Sequence, residues 1–292
     1  MPPTEPWTVG RLLQWTADYL KRHGADTPRL DAEVLLAHAL GCRRIDLYTA
    51  FEQIPADAAR AAFREMVLRR AEGMPVAYLV GHREFYSLDF LVTPDVLIPR
   101  PETELVVLTL IERARQGADA QIAICDVGTG SGNIAVAAAK HLPRCRITAI
   151  DISEPALEVA RANARKHGVL DRIELIRSDL LAAIPPDQQF HFIVSNPPYV
   201  AESERNALAP DVRSYEPAIA LFAGQQGTEV LAALIPQAVA HLYPGGHLIL
   251  EVSPMIHQAV VALIAADERL ELGPTVKDQN RLPRVVQAQR KP

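Results

Sequence analysis

Residues 195–199 read Ser-Asn-Pro-Pro-Tyr and follow directly on the apolar run Phe190, His191, Phe192, Ile193, Val194. Two consecutive prolines at the end of a buried strand remove two backbone donors and fix φ, which makes a stiff corner. The corner offers two uncharged acceptors at fixed positions, the side-chain oxygen of Asn196 and the main-chain carbonyl of Pro197. That pair suits a planar NH2 group, as in an amide or adenine, whose lone pair is delocalised into a π system. Accepting both N–H hydrogens lets the nitrogen lean toward pyramidal geometry as an electrophilic carbon arrives. Orientation and preorganised acceptors then carry the reaction, with no metal and no covalent nucleophile. Pro198 stiffens the same substrate site, and Tyr199 is expected to lie against the flat face of the target group. Taken alone the motif also reads as a plain turn, because Asn and Pro are common turn residues.

A second constellation lies upstream. In DVGTGSGNIAV, Gly128, Gly130 and Gly132 alternate with Thr129 and Ser131 at the end of an apolar run and before a helical pattern. Glycines let such a loop turn sharply and let its backbone approach a ligand, while the helix start adds a weak positive end. The spacing G-x-G-x-G departs from the dinucleotide fingerprint and lacks the Lys-Ser/Thr of a phosphate loop, so a nucleoside without pyrophosphate fits better. The next apolar run, CRITAID, ends in Asp151, where a carboxylate accepts from the two hydroxyls of a ribose. Helix capping is the alternative for Asp151, although Ser153 is equally able to cap. After RIELIRS come Asp179, suited to an adenine amino group, and Leu180, suited to the ring face; a turn or cap is the plainer reading of Asp179.

Positioning these residues requires a parallel sheet. From Glu102 onward a helix to about Gln116 is followed by QIAICDV, CRITAID, RIELIRS, HFIVSN, GGHLILEVS, ERLELGPTV and RVVQAQ, which read as seven strands. The first five are separated by helical or long crossovers, and the last two form a hairpin with one strand reversed. Ligand-facing residues then fall at the carboxyl ends of successive strands, where open α/β sheets bind ligands. Upstream, TVGRLLQWTADYLKRHG, TPRLDAEVLLAHALG and PADAARAAFREMVLRRAEG carry apolar residues three and four apart and close on Gly24, Gly41 and Gly73, which predicts a small helical domain. Trp7 and Trp15 are expected to pack inside it. The alternation in EFYSLDFLV predicts a strand pair ending at Pro99 and Pro101. The domains are therefore 1–80 helical, 81–100 a β-hairpin linker, and 101–292 the sheet domain.

Composition excludes several classes. Of 292 residues, 49% are hydrophobic and 22% charged, which is ordinary for a globular chain, and the length suggests roughly two domains. A formal net charge of −5, with Lys and Arg dispersed, disfavours a nucleic-acid partner. The odd set Cys42, Cys125 and Cys145 has no C-x-x-C spacing and reads as buried thiols in a reducing compartment. The N-terminus lacks a basic-then-apolar leader and no stretch approaches the ~18 apolar residues of a membrane span, so a cytoplasmic location is expected. The histidines show no metal-binding spacing, and Ser195 lies in no nucleophile elbow.

The order of glycine loop, acidic strand end, SDLL and SNPPY resembles the S-adenosylmethionine-dependent methyltransferases, whose Rossmann-like sheet has seven strands with the last pair reversed. The bend SNPPY is common to adenine-N6 and glutamine-N5 methyltransferases. Its combination with PVAYLVGHREFYSLDFLVTPDVLIPRPETE upstream and YEPAIALFAG downstream closely resembles the peptide chain release factor glutamine methyltransferases, the PrmC/HemK family. That resemblance runs over nearly the whole chain. It implies methyl transfer from S-adenosylmethionine, leaving S-adenosylhomocysteine, to the amide nitrogen of the glutamine in the GGQ loop of release factors. The enzyme would be a monomer acting on protein, with no direct nucleic-acid or membrane partner, and both domains would touch the factor. Carried over, the cofactor contacts are Gly128, Thr129, Gly130, Ser131, Gly132, Asp151, Asp179, Leu180 and Asn196, and the glutamine site is Asn196, Pro197, Pro198 and Tyr199. Arg100, Pro101, Glu102 and Glu104 of IPRPETE either shape the cofactor side of the pocket or serve as structural linker. Two departures stand out: EVSPMIHQ, where relatives often carry glycine or an aromatic residue after the acid, and KDQNRLPRVV, with Arg281 and Pro283 in a loop that usually holds a glycine. The alternatives are an adenine-N6 methyltransferase acting on RNA or DNA, and a non-catalytic binder that keeps the fold.

Overall fold

The computed structural model describes residues 6–116 and 121–292, so the first five residues, read above for a leader, lie outside the described residues. The chain divides into two compact units, Met1–Gly81 with Ala209–Tyr215, and His82–Leu208 with Glu216–Pro292.

The first unit contains α1 (Val9–Arg22), α2 (Pro28–Leu40), α3 (Asp46–Thr49), α4 (Asp57–Ala71) and α5 (Val76–Val80). Thr8 caps α1 by accepting from the Arg11 amide at 3.3 Å. Gly24, Gly41 and Gly73 follow α1, α2 and α4 in the left-handed region, as helix-ending glycines do. Leu13, Leu20, Leu35, Leu36 and Leu47 form the centre of the core. Trp15 does not join it. The buried stripe of α1 runs through Val9, Leu12, Leu13, Thr16 and Leu20, and position 15 falls off that stripe. Trp15 is instead 46% exposed, stacked on Tyr19 with a centroid separation of 5.0 Å.

The second unit opens with a hairpin of β1 (His82–Phe85) and β2 (Leu88–Leu91), paired antiparallel with Phe85 opposite Leu88. Its two turn residues, Tyr86 and Ser87, both have positive φ, the geometry that a two-residue hairpin needs and that glycine or asparagine usually supplies. Glu104 fastens this turn, its Oε1 accepting from the Tyr86 amide at 2.8 Å. Phe85 and Phe90 are buried in the same core cluster as Ile134, Ala138 and Ile147. The strands expected within a separate linker therefore pack into the core of the sheet unit.

After α6 (Glu104–Arg115) the chain alternates through β3 (Ile122–Val127), α7 (Asn133–His141), β4 (Cys145–Asp151), α8 (Glu154–Lys166), β5 (Ile173–Arg177), β6 (Phe190–Ser195) and the short β7 (Val200–Ala201). Then come α9 (Pro210–Tyr215), which belongs to the first unit, α10 (Ala218–Leu221), β8 (Phe222–Gly224), α11 (Glu229–His241), β9 (Leu242–Glu251), α12 (His257–Ala265), β10 (Leu270–Leu272), β11 (Val276–Lys277) and β12 (Pro283–Arg290). The main sheet runs β10-β12-β9-β6-β3-β4-β5, with β11 also on β12; β12 is antiparallel to β9, β10 and β11, and the rest of the β9-to-β5 path is parallel. Eight strands thus stand where seven are expected among the described residues, because ERLELGPTV breaks after Leu272. The Gly273 amide there donates to the Gln287 carbonyl at 2.8 Å.

Period-two alternation on β3 and β6 builds both layers. Ile124, Phe192 and Val194 face α6 and α7, while Cys125, Val127 and Ile193 face α11 and α12. The strand order places β3 between β4 and β6, so the chain leaves β3 and β6 on opposite sides and opens a crevice at their carboxyl ends. In the loop before β12, Arg281 adopts φ 63, the left-handed conformation that favours the glycine expected there from the resemblance. Replacing Phe90, 0% exposed, with alanine should destabilise the protein by about 3–5 kcal/mol in denaturant unfolding. A change below ~1 kcal/mol would show that the hairpin is no part of this core.

Candidate active site

The crevice at the carboxyl ends of β3, β4 and β6 is a cavity of about 280 Å³. Gly128, Thr129, Gly130, Ser131, Asp151, Asp179, Leu180, Asn196, Pro197 and Pro198 all line it. Of the residues singled out in the sequence, Gly132 and Tyr199 do not. From the IPRPETE segment Pro99, Arg100 and Thr103 reach it; Pro101 starts a short 3-10 turn, Glu102 pairs with Arg284 at 3.7 Å, and Glu104 holds the hairpin turn.

The glycine loop folds as its sequence suggests. Gly128 and Thr129 both donate to the Ile150 carbonyl of β4, at 2.8 and 2.9 Å. Gly128 and Gly130 have positive φ, and a Cβ at either would point into open space, so the backbone itself is the wall a ligand meets. Gly132 has a different task. It precedes α7, and a Cβ there would sit 3.1 Å from that of Ala160, so its bareness serves the close approach of α7 and α8. Ser131 Oγ is buried without a hydrogen-bond partner and belongs to a residue lining the cavity, a donor and acceptor left for a ligand.

Asp151 is tied to the loop it serves. Its Oδ2 accepts from Gly130 and its Oδ1 from Ser153, both at 2.9 Å, and each oxygen retains a further lone pair. Burial raises its pKa above the ordinary carboxylate value. Ser153, not Asp151, caps α8, accepting from the Ala156 amide at 3.3 Å. Leu180 has φ 48, a left-handed conformation that costs a non-glycine residue on the order of 1–3 kcal/mol. Gln237 on α11 supports that turn, its Oε1 accepting from the Leu181 amide at 3.1 Å.

At the bend, Ser195 donates to the Val127 carbonyl at 2.6 Å and locks the ends of β6 and β3 together. Asn196 Nδ2 donates to Thr103 Oγ1 at 3.1 Å, which leaves Oδ1 for a ligand. The Tyr199 hydroxyl turns toward Glu251 Oε1, 3.4 Å away, and burial pushes the phenol pKa up. Gly227 has φ 78, and a Cβ would come within 2.6 Å of the Tyr199 carbonyl, so only glycine lets the loop after β8 pack on the bend. Here β7 and β8 pair in parallel, Val200 with Phe222.

Several contributors have no local signature. Asn163 on α8, 0% exposed, donates to the carbonyls of Leu91 and Ser131 at 3.0 and 2.8 Å and accepts from the Leu91 amide at 2.7 Å, joining hairpin to glycine loop. Glu216 pairs with Arg100 and accepts from the Ile98 amide at 3.3 Å, fixing the start of the segment whose Pro217, Ile219 and Ala220 wall the cavity. Asp126, wholly buried, accepts from Thr129 Oγ1 at 2.7 Å and the Ala135 amide at 3.2 Å, while Oδ1 has no partner. Asp126 opens the quoted DVGTGSG and Glu216 lies in the quoted YEPAIALFAG, but neither sequence indicates the partner the residue takes in the fold.

Burial moves the Asp126 pKa from 3.8 to about 7. The folded state therefore holds a proton that the unfolded chain releases at about pH 4, and this group's contribution to stability declines as pH rises from about 4 to about 7. Asp126→Asn should flatten that decline in unfolding measured across the window. An unchanged slope would contradict the assignment.

Comparison with known proteins agrees with this geometry. The PrmC N-terminal domain matches residues 11–81 and the methyltransferase small domain residues 103–211. The release factor glutamine methyltransferase of Rhodopirellula baltica is 51% identical over 253 residues, 86% of each chain. That of Koribacter versatilis is 41% identical and covers 96% of this chain and 97% of its own. Among solved structures, the ribosomal protein L11 methylase of Lactobacillus delbrueckii subsp. bulgaricus is similar with a TM-score of 0.50 at 24% identity, over 69% of this chain and 84% of its own. A methyltransferase from Pyrococcus furiosus is similar with a TM-score of 0.50 at 18% identity, over 78% and 97%. With a helical unit, a parallel sheet closed by an antiparallel strand and the SNPPY bend at its crevice, the chain belongs to the release factor glutamine methyltransferase family.

Proposed function

We propose that this enzyme transfers a methyl group from S-adenosylmethionine to the N5 amide nitrogen of the glutamine in the GGQ motif of peptide chain release factors, and so modulates translation termination. The observation that carries the reading is the bend at residues 195–199, set at the mouth of a nucleoside-sized crevice with Asn196 held by its amide nitrogen. When bound, S-adenosylmethionine supplies an electrophilic methyl carbon on a sulfonium centre.

The protein's own residues do the rest. Backbone at Gly128 and Gly130, the Ser131 hydroxyl, the Asp151 and Asp179 carboxylates and the Leu180 side chain hold the nucleoside. Asn196 Oδ1 and the Pro197 carbonyl each accept one hydrogen of the glutamine NH2, and the two prolines keep those acceptors from drifting. Neither acceptor is charged, so each orients the nitrogen without taking its proton before the methyl is transferred. Pro198, Pro217, Ile219 and Phe222 supply apolar lining to the same cavity. Tyr199 acts from behind the bend, where its hydroxyl reaches Glu251.

The helical unit serves as the docking domain for the factor, a reading supported by its exposed Ile45, Tyr48 and Ile54. The substrate is protein, and the negative net charge of −5 supports the absence of direct nucleic-acid contact. Because release factors work in translation, the cytoplasm is the location in keeping with this substrate.

Incubation with labelled S-adenosylmethionine, purified release factor and, separately, total RNA tests the assignment. One methyl on the GGQ glutamine is expected; label in RNA and none in the factor would favour the adenine-N6 alternative and overturn it. Asn196→Ala should lower kcat by about 10²–10³-fold, the usual loss for one preorganised partner, while cofactor affinity changes little.

A further inference from the structure

Behind the bend lies a carboxyl group that the scheme above does not use. Glu251 ends β9, is 2% exposed, and carries an oxygen, Oε2, with no hydrogen-bond partner. Its position follows from sheet register. Ser195 on β6 pairs with Leu250 on β9, so the next residues of the two strands, Asn196 and Glu251, emerge side by side at the carboxyl edge. Between them stands Thr103, 1% exposed, from the IPRPETE segment. Its Oγ1 takes the hydrogen bond from Asn196 Nδ2 at 3.1 Å, and its hydroxyl lies beside the Glu251 carboxyl and favours the charged form. On the other side of the carboxyl, Oε1 faces the Tyr199 hydroxyl at 3.4 Å. Two of the four residues of NPPY therefore lean on one buried acid.

The chemistry of these groups gives the acid a task. A carboxamide is nearly symmetric in shape, and either end fits the space beside Thr103. A hydroxyl has one proton to give. If Thr103 gave it to Asn196, the carboxamide would turn round and its NH2 would face the cavity, donor against donor with the substrate amide. An ionised carboxylate only accepts, so it draws the Thr103 proton to itself and leaves the hydroxyl free to accept from Asn196. Burial raises the Glu251 pKa from 4.5 to about 7, with Thr103 opposing, so the ionised form predominates above that pH.

Resting on the assignment of Asn196 as an amide acceptor, we infer that Glu251 is a positioning residue for methyl transfer. Through the Thr103 hydroxyl it fixes which end of the Asn196 carboxamide faces the cavity, and through the Tyr199 hydroxyl it braces the far side of the bend. Glu251 is not among the residues that line the cavity. A hydrocarbon side chain would fill the same space but would not set the direction of the proton.

The test uses the full chain, labelled S-adenosylmethionine and release factor at about pH 8, above the Glu251 value, with S-adenosylhomocysteine affinity measured by calorimetry. Thr103→Val and Glu251→Gln should each lower kcat by about 10–100-fold, with S-adenosylhomocysteine affinity and KM within about twofold of the parent. Thr103→Ser, which keeps the hydroxyl, should stay within about threefold of the parent rate. Adding Thr103→Val to Asn196→Ala should cost nothing further, because both changes remove one coupled interaction. The inference is overturned if Thr103→Val or Glu251→Gln turns over at the parent rate, if Thr103→Ser is as slow as Thr103→Val, or if the double variant shows the product of the single losses. Should Thr103→Val lose its melting transition, Glu251→Gln and Thr103→Ser decide on the same criteria. Asn196→Ala separates the two levels: a slow Asn196→Ala beside unimpaired Thr103 and Glu251 variants sinks only this inference, whereas Asn196→Ala at the parent rate sinks the amide-acceptor assignment as well.

Discussion

A planar NH2 group is held through its hydrogens only where two acceptors face it and no donor does. In the mechanism we propose, the requirement falls on Asn196 and Pro197, and it would be met by backbone stiffness on one side and by a directed hydrogen bond on the other. The prolines make the Pro197 carbonyl a fixed acceptor with no neighbouring amide to compete. The Asn196 side chain has no such covalent restraint and depends on the bond from its Nδ2 to Thr103 Oγ1. Ser195, donating to Val127, anchors the bend to the neighbouring strand, so strand pairing carries its orientation to the glycine loop.

The rest of the sheet unit surrounds this point with contacts between segments remote in sequence. Asn163 ties the hairpin to the glycine loop, Glu104 secures the hairpin turn, and Glu216 with Arg100 fixes the wall segment after α9. Each is a polar group placed where backbone would otherwise be left unsatisfied or free to move, and each is buried or part-buried, so that losing one partner is costly. Left-handed residues occur at Tyr86, Ser87 and Leu180, in the hairpin turn and the cavity lining. The surrounding bonds hold conformations that isolated peptides would leave.

What the sequence revealed was what depends on neighbours in the chain. Alternating glycines after an apolar run, an acid at the end of the next strand and prolines closing a third are local backbone statements, and the sheet brings all three to one cavity. Tyr199 shows where local reading stops. Its place after the prolines suggests stacking of the ring on the target, but the partner of its hydroxyl, Glu251, is supplied only by the register of β9. Glu251, Asn163, Gln237 and Glu216 were given no role for the same reason, since each acquires its partner only through pairing or packing across long stretches of chain. Trp15 and the split of ERLELGPTV failed differently. In the first, apolar character stood in for position on the helix face; in the second, Gly273 and Pro274 interrupted a run whose composition still favoured a strand.

The two acceptors at the bend are observed most directly in a structure of the protein with S-adenosylhomocysteine and a glutamine-bearing GGQ peptide. The glutamine amide nitrogen should lie about 2.7–3.2 Å from both Asn196 Oδ1 and the Pro197 carbonyl oxygen, with Asn196 Nδ2 still on Thr103. A glutamine amide held by other groups, or a carboxamide turned so that its nitrogen faces the peptide, would contradict it.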